Sequence, residues 1–185
     1  MDEIALHLLD IIQNSIKAKA NNVSVTFEAN DDDLVLIIED DGIGMDEGFL
    51  ENVTDPFITT RTTRRVGLGI SLLKQSAEAS FGRFSIDSKK GVGTKVIAIF
   101  KIDNIDRIPL GDLAGTMESL IMCYEYIDFN LTLKSKNGEF LLSTKEIKEN
   151  LEGVPINTYD VLQWIKDYID EQVKFIFGDV LNEIL

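Results

Sequence analysis

Apolar residues open the chain at helical spacing. Ile4, Leu8, Ile11, Ile12 and Ile16, with Ser15 among them, line one face and predict a helix over residues 2–20, stopped by Asn21-Asn22. The period then drops to two. Residues 23–29 (VSVTFEA) alternate as a strand, residues 30–33 make a polar turn, and residues 34–39 (LVLIIE) form a second strand beside the first. A short helix is expected over 46–52. Residues 53–66 carry no period and are rich in Thr and Arg. Helical spacing returns over 67–80 through Leu68, Leu72, Leu73, Ser76 and Ala77, and strands are predicted at 83–88 and 94–101, joined by KKGVG. Hairpin-connected strands with the helices gathered on one side predict an α/β two-layer sandwich of the α+β kind, a mixed sheet covered by helices on one face.

Beyond Lys101 the elements continue in a new order. Residues 102–109 read as a linker or edge. Leu113, Met117, Leu120 and Ile121 mark a helix. Phe129, Leu131 and Leu133 alternate as a strand, and Asn137-Gly138 offers a hairpin turn into 139–142. Ser143 with Glu146 has the form of a capping box opening a short helix, which Gly153 and Pro155 close. A last long helix starts near Asn157-Thr158. Its apolar residues Leu162, Trp164, Ile165, Tyr168, Ile169 and Val173 read as core before interface. The pattern divides the chain at 1–101 and 102–185. The second part is an α/β extension able to pack on the first, bind a partner or make a dimer.

Composition narrows the function classes. Eighteen basic against 32 acidic side chains leave a net charge of −14. Phosphate backbones must be met with Lys and Arg, so nucleic acid is excluded as a partner, and an anionic membrane surface with it. Cys123 is the only cysteine, so no intrachain disulfide forms, which fits a reducing cytoplasm. Within SLIMCY it reads as a small core residue. The N-terminus is acidic and no apolar run approaches the length of a membrane span, so neither a signal peptide nor a transmembrane helix is expected.

Four stretches carry candidate chemistry. Asp10 and Asn14 stand one turn apart on the first helix, among Leu9, Ile11, Ile12 and Ile16. A carboxylate and a carboxamide on a half-buried face offer hard oxygens to Mg²⁺. DDGIGM (residues 40–45) follows a buried strand. Residues 55–65 (DPFITTRTTRR) gather three arginines in an acidic chain, a cover for something anionic. VGLGIS (66–71) puts glycines at a helix N-terminus, where free N–H groups and the dipole favour phosphate. Gly91-Val92-Gly93-Thr94 joins two strands and sets Thr94 where it can face a bound base.

The order Asn14, then Asp41-Gly42-Ile43-Gly44, then Pro56-Phe57 with Thr59-Thr60-Arg61, then Gly67-Leu68-Gly69, then Gly93-Thr94 resembles the GHKL ATPase superfamily, over about residues 1–101. That superfamily includes ATP-binding domains of sensor histidine kinases, gyrase-type topoisomerases, mismatch-repair ATPases, heat-shock chaperones and anti-sigma-factor kinases. The resemblance implies the Bergerat ATP-binding fold, with ATP and Mg²⁺ as cofactors. It implies Asn14 as the Mg²⁺ ligand and Asp41 as the acceptor of the adenine amino group. Gly42 and Gly44 would let the backbone fold beneath the ring, between Ile43 and Met45. Residues 53–66 look like an ATP lid bearing Phe57, Thr59, Thr60 and Arg61. Gly67, Leu68 and Gly69 would cradle phosphates, Thr94 would support the adenine, and Lys17 would join the nucleotide site. A carboxylate only accepts hydrogen bonds, so Asp41 suits adenine's amine and rejects guanine by on the order of 2–4 kcal/mol.

Asp10 stands where hydrolysing members of the superfamily carry Glu and typical sensor kinases carry Asn. It is the candidate catalytic base. The only histidine, His7, reads as a packing or pocket-rim residue rather than a phosphoacceptor, and the chain begins directly on the Asn14 helix. The short lid resembles the kinase-like branch. The expected function is therefore an ATP-binding, histidine-kinase-like, Mg-ATP-dependent phosphotransferase or regulator acting on a protein partner, with ATP and ADP as its nucleotides. The alternatives are a non-catalytic ATP-binding module and a slow ATPase working as a homodimer.

Overall fold

Alternation along the strands decides which side of the sheet is dry. In a computed structural model, which describes residues 3–50, 53 and 68–181, six strands stand in the order β3-β4-β2-β1-β5-β6. They are β1 (Asn22–Ala29), β2 (Asp33–Asp40), β3 (Arg83–Lys89), β4 (Gly93–Lys101), β5 (Asp128–Ser135) and β6 (Gly138–Ser143). Neighbours pair antiparallel except β1 with β5, which run parallel. The sheet is thus mixed, as the two-layer reading requires. β5 and β6, from the C-terminal extension, continue the same sheet.

Register turns the alternation into rows. One row across the sheet reads Phe84, Ala98, Leu36, Phe27, Leu133, Phe140; two residues along every strand, the next reads Ile86, Val96, Ile38, Val25, Leu131, Leu142. The members from β4 to β6 are buried, and Phe84 and Ile86 pack against them. Partly exposed residues such as Val35, Ile37, Ile97 and Ile99 occupy the other face. It also carries the ion pairs Glu39–Lys95 at 3.0 Å, Asp33–Lys101 at 2.7 Å and Glu28–Lys134 at 3.4 Å. Such exposed pairs contribute little to stability.

The helices cover the dry rows. α1 (Ile4–Lys17) buries Ile4, Leu8, Ile11 and Ile12. The next helices in the chain are α2 (Glu47–Leu50) and α3 (Leu68–Ala79), and α3 lies beside α1 against β3 and β4. α4 (Leu113–Cys123) packs on α1 and α6 (Tyr159–Phe177), and α6 lies on β5 and β6. α5 (Thr144–Asn150) closes the β5 side. The linker is tied down at both ends. The N–H groups of Ile4 and Ala5, which no helical carbonyl can satisfy, donate to Pro109 and Leu110 carbonyls at 2.9 Å each. The Arg107 guanidinium donates to the carbonyls of Ile102, Ile108 and Leu181.

Three expectations change. Ser143 sits at the N-cap of α5 but makes no side-chain capping bond. Its neighbour Thr144 is the anchor instead, fully buried and accepting the Phe129 N–H at 2.8 Å. Cys123 is exposed rather than core, because it ends α4 beyond the buried stripe of Leu113, Met117, Leu120 and Ile121. Trp164 and Tyr168 are also exposed. The dry side of α6 centres on Leu162, Ile165, Ile169 and Val173, and a 100° step per residue carries Trp164 and Tyr168 off it.

Phe27 sits at the middle of the dry row and is fully buried. Phe27→Ala is expected to cost about 3–5 kcal/mol, read as a lower urea midpoint with an unchanged slope.

Candidate functional site

Two residues further along the strands, the buried row changes character. It reads Ser88, Thr94, Asp40, Val23, Phe129. Its β1 and β5 members are apolar; its β2, β3 and β4 members are polar. Asp40 continues Leu34, Leu36 and Ile38 onto the helix-covered face, at the end of β2. There its Oδ2 accepts the Ser15 hydroxyl of α1 at 2.6 Å and its Oδ1 accepts the Gly42 N–H at 2.9 Å. Ser15 is itself buried. Beside Asp40, Ser88 Oγ accepts the Met45 N–H at 2.9 Å, donates to the Gly93 carbonyl at 2.9 Å and stands 2.9 Å from Thr94 Oγ1. This chain of small hydroxyls and one carboxylate lies at the mouth of the helix layer.

Asp41, the acid selected from the sequence, is used elsewhere. It is exposed, and its carboxylate accepts the N–H groups of Asn21 at 2.7 Å and Asn22 at 2.9 Å and the Asn22 side-chain amide at 2.7 Å. Partial burial pushes the Asp41 carboxyl up. The hydrogen bonds from the Asn22 side chain and from the Asn22 and Asn21 backbones outweigh it and hold the group below its usual value. Asp41 thus fastens the turn that enters β1, and Asp40 is the acid on the helix-covered face. The signal for this lies in the strand itself. β2 runs one residue past the expected end, to Asp40, and even-numbered positions face the helices. Ser15 and Ser88 carry no such mark, since their partners are 25 and 6 residues away.

The glycines serve backbone crossings. A Cβ on Gly44, at φ +63°, would lie 2.1 Å from the Lys89 carbonyl oxygen, and one on Gly93 1.9 Å from that of Asp40. A Cβ on Gly42 would meet the Ala18 carbonyl oxygen at 2.8 Å. The loop of residues 41–45 is therefore clamped between the end of α1 and the β3–β4 hairpin, with Ile43 donating to Ala18 and accepting from Gly91. Ile43 itself is exposed, as is Lys17 at the end of α1.

On α1, Asp10 and Asn14 are half-buried, and neither side chain has a hydrogen-bond partner among the described residues. Asp10 lies against the start of α3: a Cβ on Gly69 would sit 3.0 Å from Asp10 Cβ and 3.3 Å from its Oδ2. Leu68 precedes it, half-buried. Asp10 and Gly69 are thereby brought to one seam, between α1 and α3, and Asn14 follows Asp10 one turn along α1. The donor set suits Mg²⁺ chemistry. One carboxamide oxygen and a neighbouring carboxylate offer hard ligands to an ion that retains much of its water. No cluster of three His, Cys, Asp or Glu side chains exists among the described residues. Phe57, Thr59, Thr60, Arg61 and Gly67 lie outside the described residues.

His7 sits on the same seam. It is 1% exposed, with Nε2 3.0 Å from Ser76 Oγ of α3 and Nδ1 unpartnered. Burial lowers its pKa from 6.5 to about 4, so the ring is neutral near pH 7 and packs α1 onto α3.

The family described as "Histidine kinase-, DNA gyrase B-, and HSP90-like ATPase" matches residues 2–104. Sporulation kinase E of Bacillus subtilis is 37% identical over 89 residues, which are 46% of this chain and 12% of that protein. Cell-division control histidine kinase PdhS of Brucella ovis is 31% identical over 109 residues, 50% of this chain and 10% of the relative. The chain thus spans a small part of these kinases. A crystal structure titled as the N terminal domain of a DNA repair protein superposes with a TM-score of 0.59 at 15% identity, covering 97% of this chain and 58% of the other, a likeness of fold. Among the described residues, no helix is long and apolar enough to cross a membrane.

The histidine sets a pH dependence. With its folded pKa depressed, the unfolded chain binds the extra proton, so stability falls as pH drops from about 6.5 toward 4. The loss reaches up to about 3 kcal/mol at the low end. His7→Gln is expected to flatten that part of the profile, measured by urea denaturation of both proteins across the range.

Proposed function

Because the chain belongs to the histidine kinase-, DNA gyrase B- and HSP90-like ATPases, we propose that it binds Mg-ATP between α1, α3 and the polar end of the sheet and passes the γ-phosphoryl group to a protein partner. The observation that carries the reading is the row Ser88, Thr94, Asp40, held by Ser15 and closing an otherwise apolar sheet face. Adenine presents an exocyclic amine, and a carboxylate only accepts. Asp40 keeps free lone pairs on both oxygens after the two bonds it receives from Ser15 and Gly42. Guanine would set its carbonyl against that carboxylate, a penalty on the order of 2–4 kcal/mol. Thr94, fixed by Ser88, offers a hydroxyl beside it.

At the other end of the pocket, Asn14 would supply an oxygen to Mg²⁺, which when bound would offset charge on the phosphates. Gly69 leaves room for close phosphate approach at the first turn of α3. Lys17 and the lid residues Phe57, Thr59, Thr60 and Arg61, with Gly67, complete the cover in this reading. Asp10 accepts a proton from the attacking group as the new bond to phosphorus forms and ADP leaves. Catalysis rests mostly on position and charge. The partner's nucleophile is a protein side chain.

ATP titration by calorimetry tests the base reader. Asp40→Asn is expected to weaken ATP binding by about a hundredfold, while Asp41→Asn stays within about threefold. The opposite pattern returns the role to Asp41. Saturating ATP, at about a hundred times its dissociation constant, is expected to add about 2.7 kcal/mol of stability.

A second experiment uses γ-labelled ATP and copurifying proteins. Asp10→Asn is expected to keep ATP affinity and lower label transfer by about 10²–10⁴. ATP binding with no label on any partner leaves a nucleotide-gated regulator in place of a phosphotransferase.

A further inference from the structure

The nucleotide reading leaves the far edge of the sheet unused. β6 pairs with β5 on one side and with no strand on the other among the described residues. A free edge presents a row of backbone N–H and C=O groups ready for another strand. Along this edge α6 turns outward Trp164, Tyr168 and Phe175, 55%, 38% and 63% exposed, at a spacing that sets them on one stripe. Trp164 stacks on Tyr168 with ring centres 5.5 Å apart, and Tyr168 meets Phe140 of β6 edge-on at 5.1 Å, so stripe and strand are joined. Where the end of β6 and α5 meet α6 lies a hollow of about 310 Å³, lined by Trp164 and Tyr168 with Leu142, Ile147 and Glu146.

Charge selects the occupant. Helical spacing puts Asp160, Asp167 and Glu171 on the aromatic side of α6, and Glu146 lines the hollow. The lysines of α6 are paired, Lys166 with Glu118 at 2.9 Å and Lys174 with Asp170 at 2.6 Å. Residues 102–185 as a whole hold sixteen acidic and seven basic side chains. A second copy would bring its own carboxylates against these, and an acidic peptide would be repelled. We propose that β6 and the aromatic stripe of α6 form a docking groove for an extended, cationic segment of a partner protein. The segment adds as a strand along β6 and seats an apolar side chain in the hollow, with its Lys or Arg residues facing the carboxylates. The groove lies apart from the row that holds Asp40, and the proposal stands independently of nucleotide binding.

Trp164 is the only tryptophan of the chain, so its emission reports on the groove. A phage library of random short peptides is selected against the full chain, and the enriched peptides are synthesised. The expected ligands alternate apolar residues with Lys or Arg, shift Trp164 emission and bind more weakly as salt rises. Trp164→Ala, and separately the double variant Asp167→Lys with Glu171→Lys, weaken them by about tenfold or more. Both variants keep the wild-type circular dichroism spectrum. N-methylation of alternate peptide amides abolishes binding, as strand addition requires. A selection that yields no binder, or only acidic ones, overturns the proposal. So does binding that these variants leave unchanged, N-methylated peptides that still bind, or self-association of the chain that Trp164→Ala abolishes.

Discussion

The pairing of β2 with β4 is the constraint on which the candidate site depends. Asp40 lies opposite Thr94, and Ser88 opposite Thr94 from the other side, only because Leu36 faces Ala98 and Ala98 faces Phe84 further down. Side chains alternate between faces at every residue, so a slip of one position would send Asp40 to the open side and bring Asp41 or Glu39 under the helices. The apolar rows forbid that slip, since it would also expose Leu34, Leu36 and Ile38. Core packing thus fixes the placement of a carboxylate that contributes little to the core itself. Ser15 of α1 adds the cross-layer bond that orients it.

The same alternation explains what could be read in advance. Long, strongly periodic segments such as α1, β1, β2, β4 and α6 were legible because burial of one face writes itself into the residue order. Asp10 and Asn14 were legible as a pair for a related reason: a helical turn brings them together without any tertiary knowledge. The choice between Asp40 and Asp41 turned on a strand boundary one residue long, and adjacent identical residues give composition nothing to discriminate. Ser15 and Ser88 were out of reach, being ordinary small residues until a distant partner arrives. Trp164 and Tyr168 read as core in the sequence because apolar side chains on the flank of an amphipathic helix look like core until the width of the covering layer is known.

Glycine at this site is mostly about neighbouring backbone. Gly44 and Gly93 stand where the loop after β2 crosses the β3–β4 hairpin with no space for a Cβ. Gly42 packs on the end of α1 in the same way. That crowding makes the loop of residues 41–45 a fixed floor. Gly69 differs, since its nearest neighbour is the Asp10 side chain, the same seam where His7 and Ser76 join α1 to α3.

The parallel ladder between β1 and β5 has an architectural consequence. β1 would otherwise be the outermost strand of a four-stranded sheet, with unpaired amides and carbonyls running beside Val23, Val25 and Phe27. The second half of the chain caps that margin and moves the exposed boundary outward to β6. A fragment cut after Lys101 would inherit a sticky border at β1, and with it a further route to clumping.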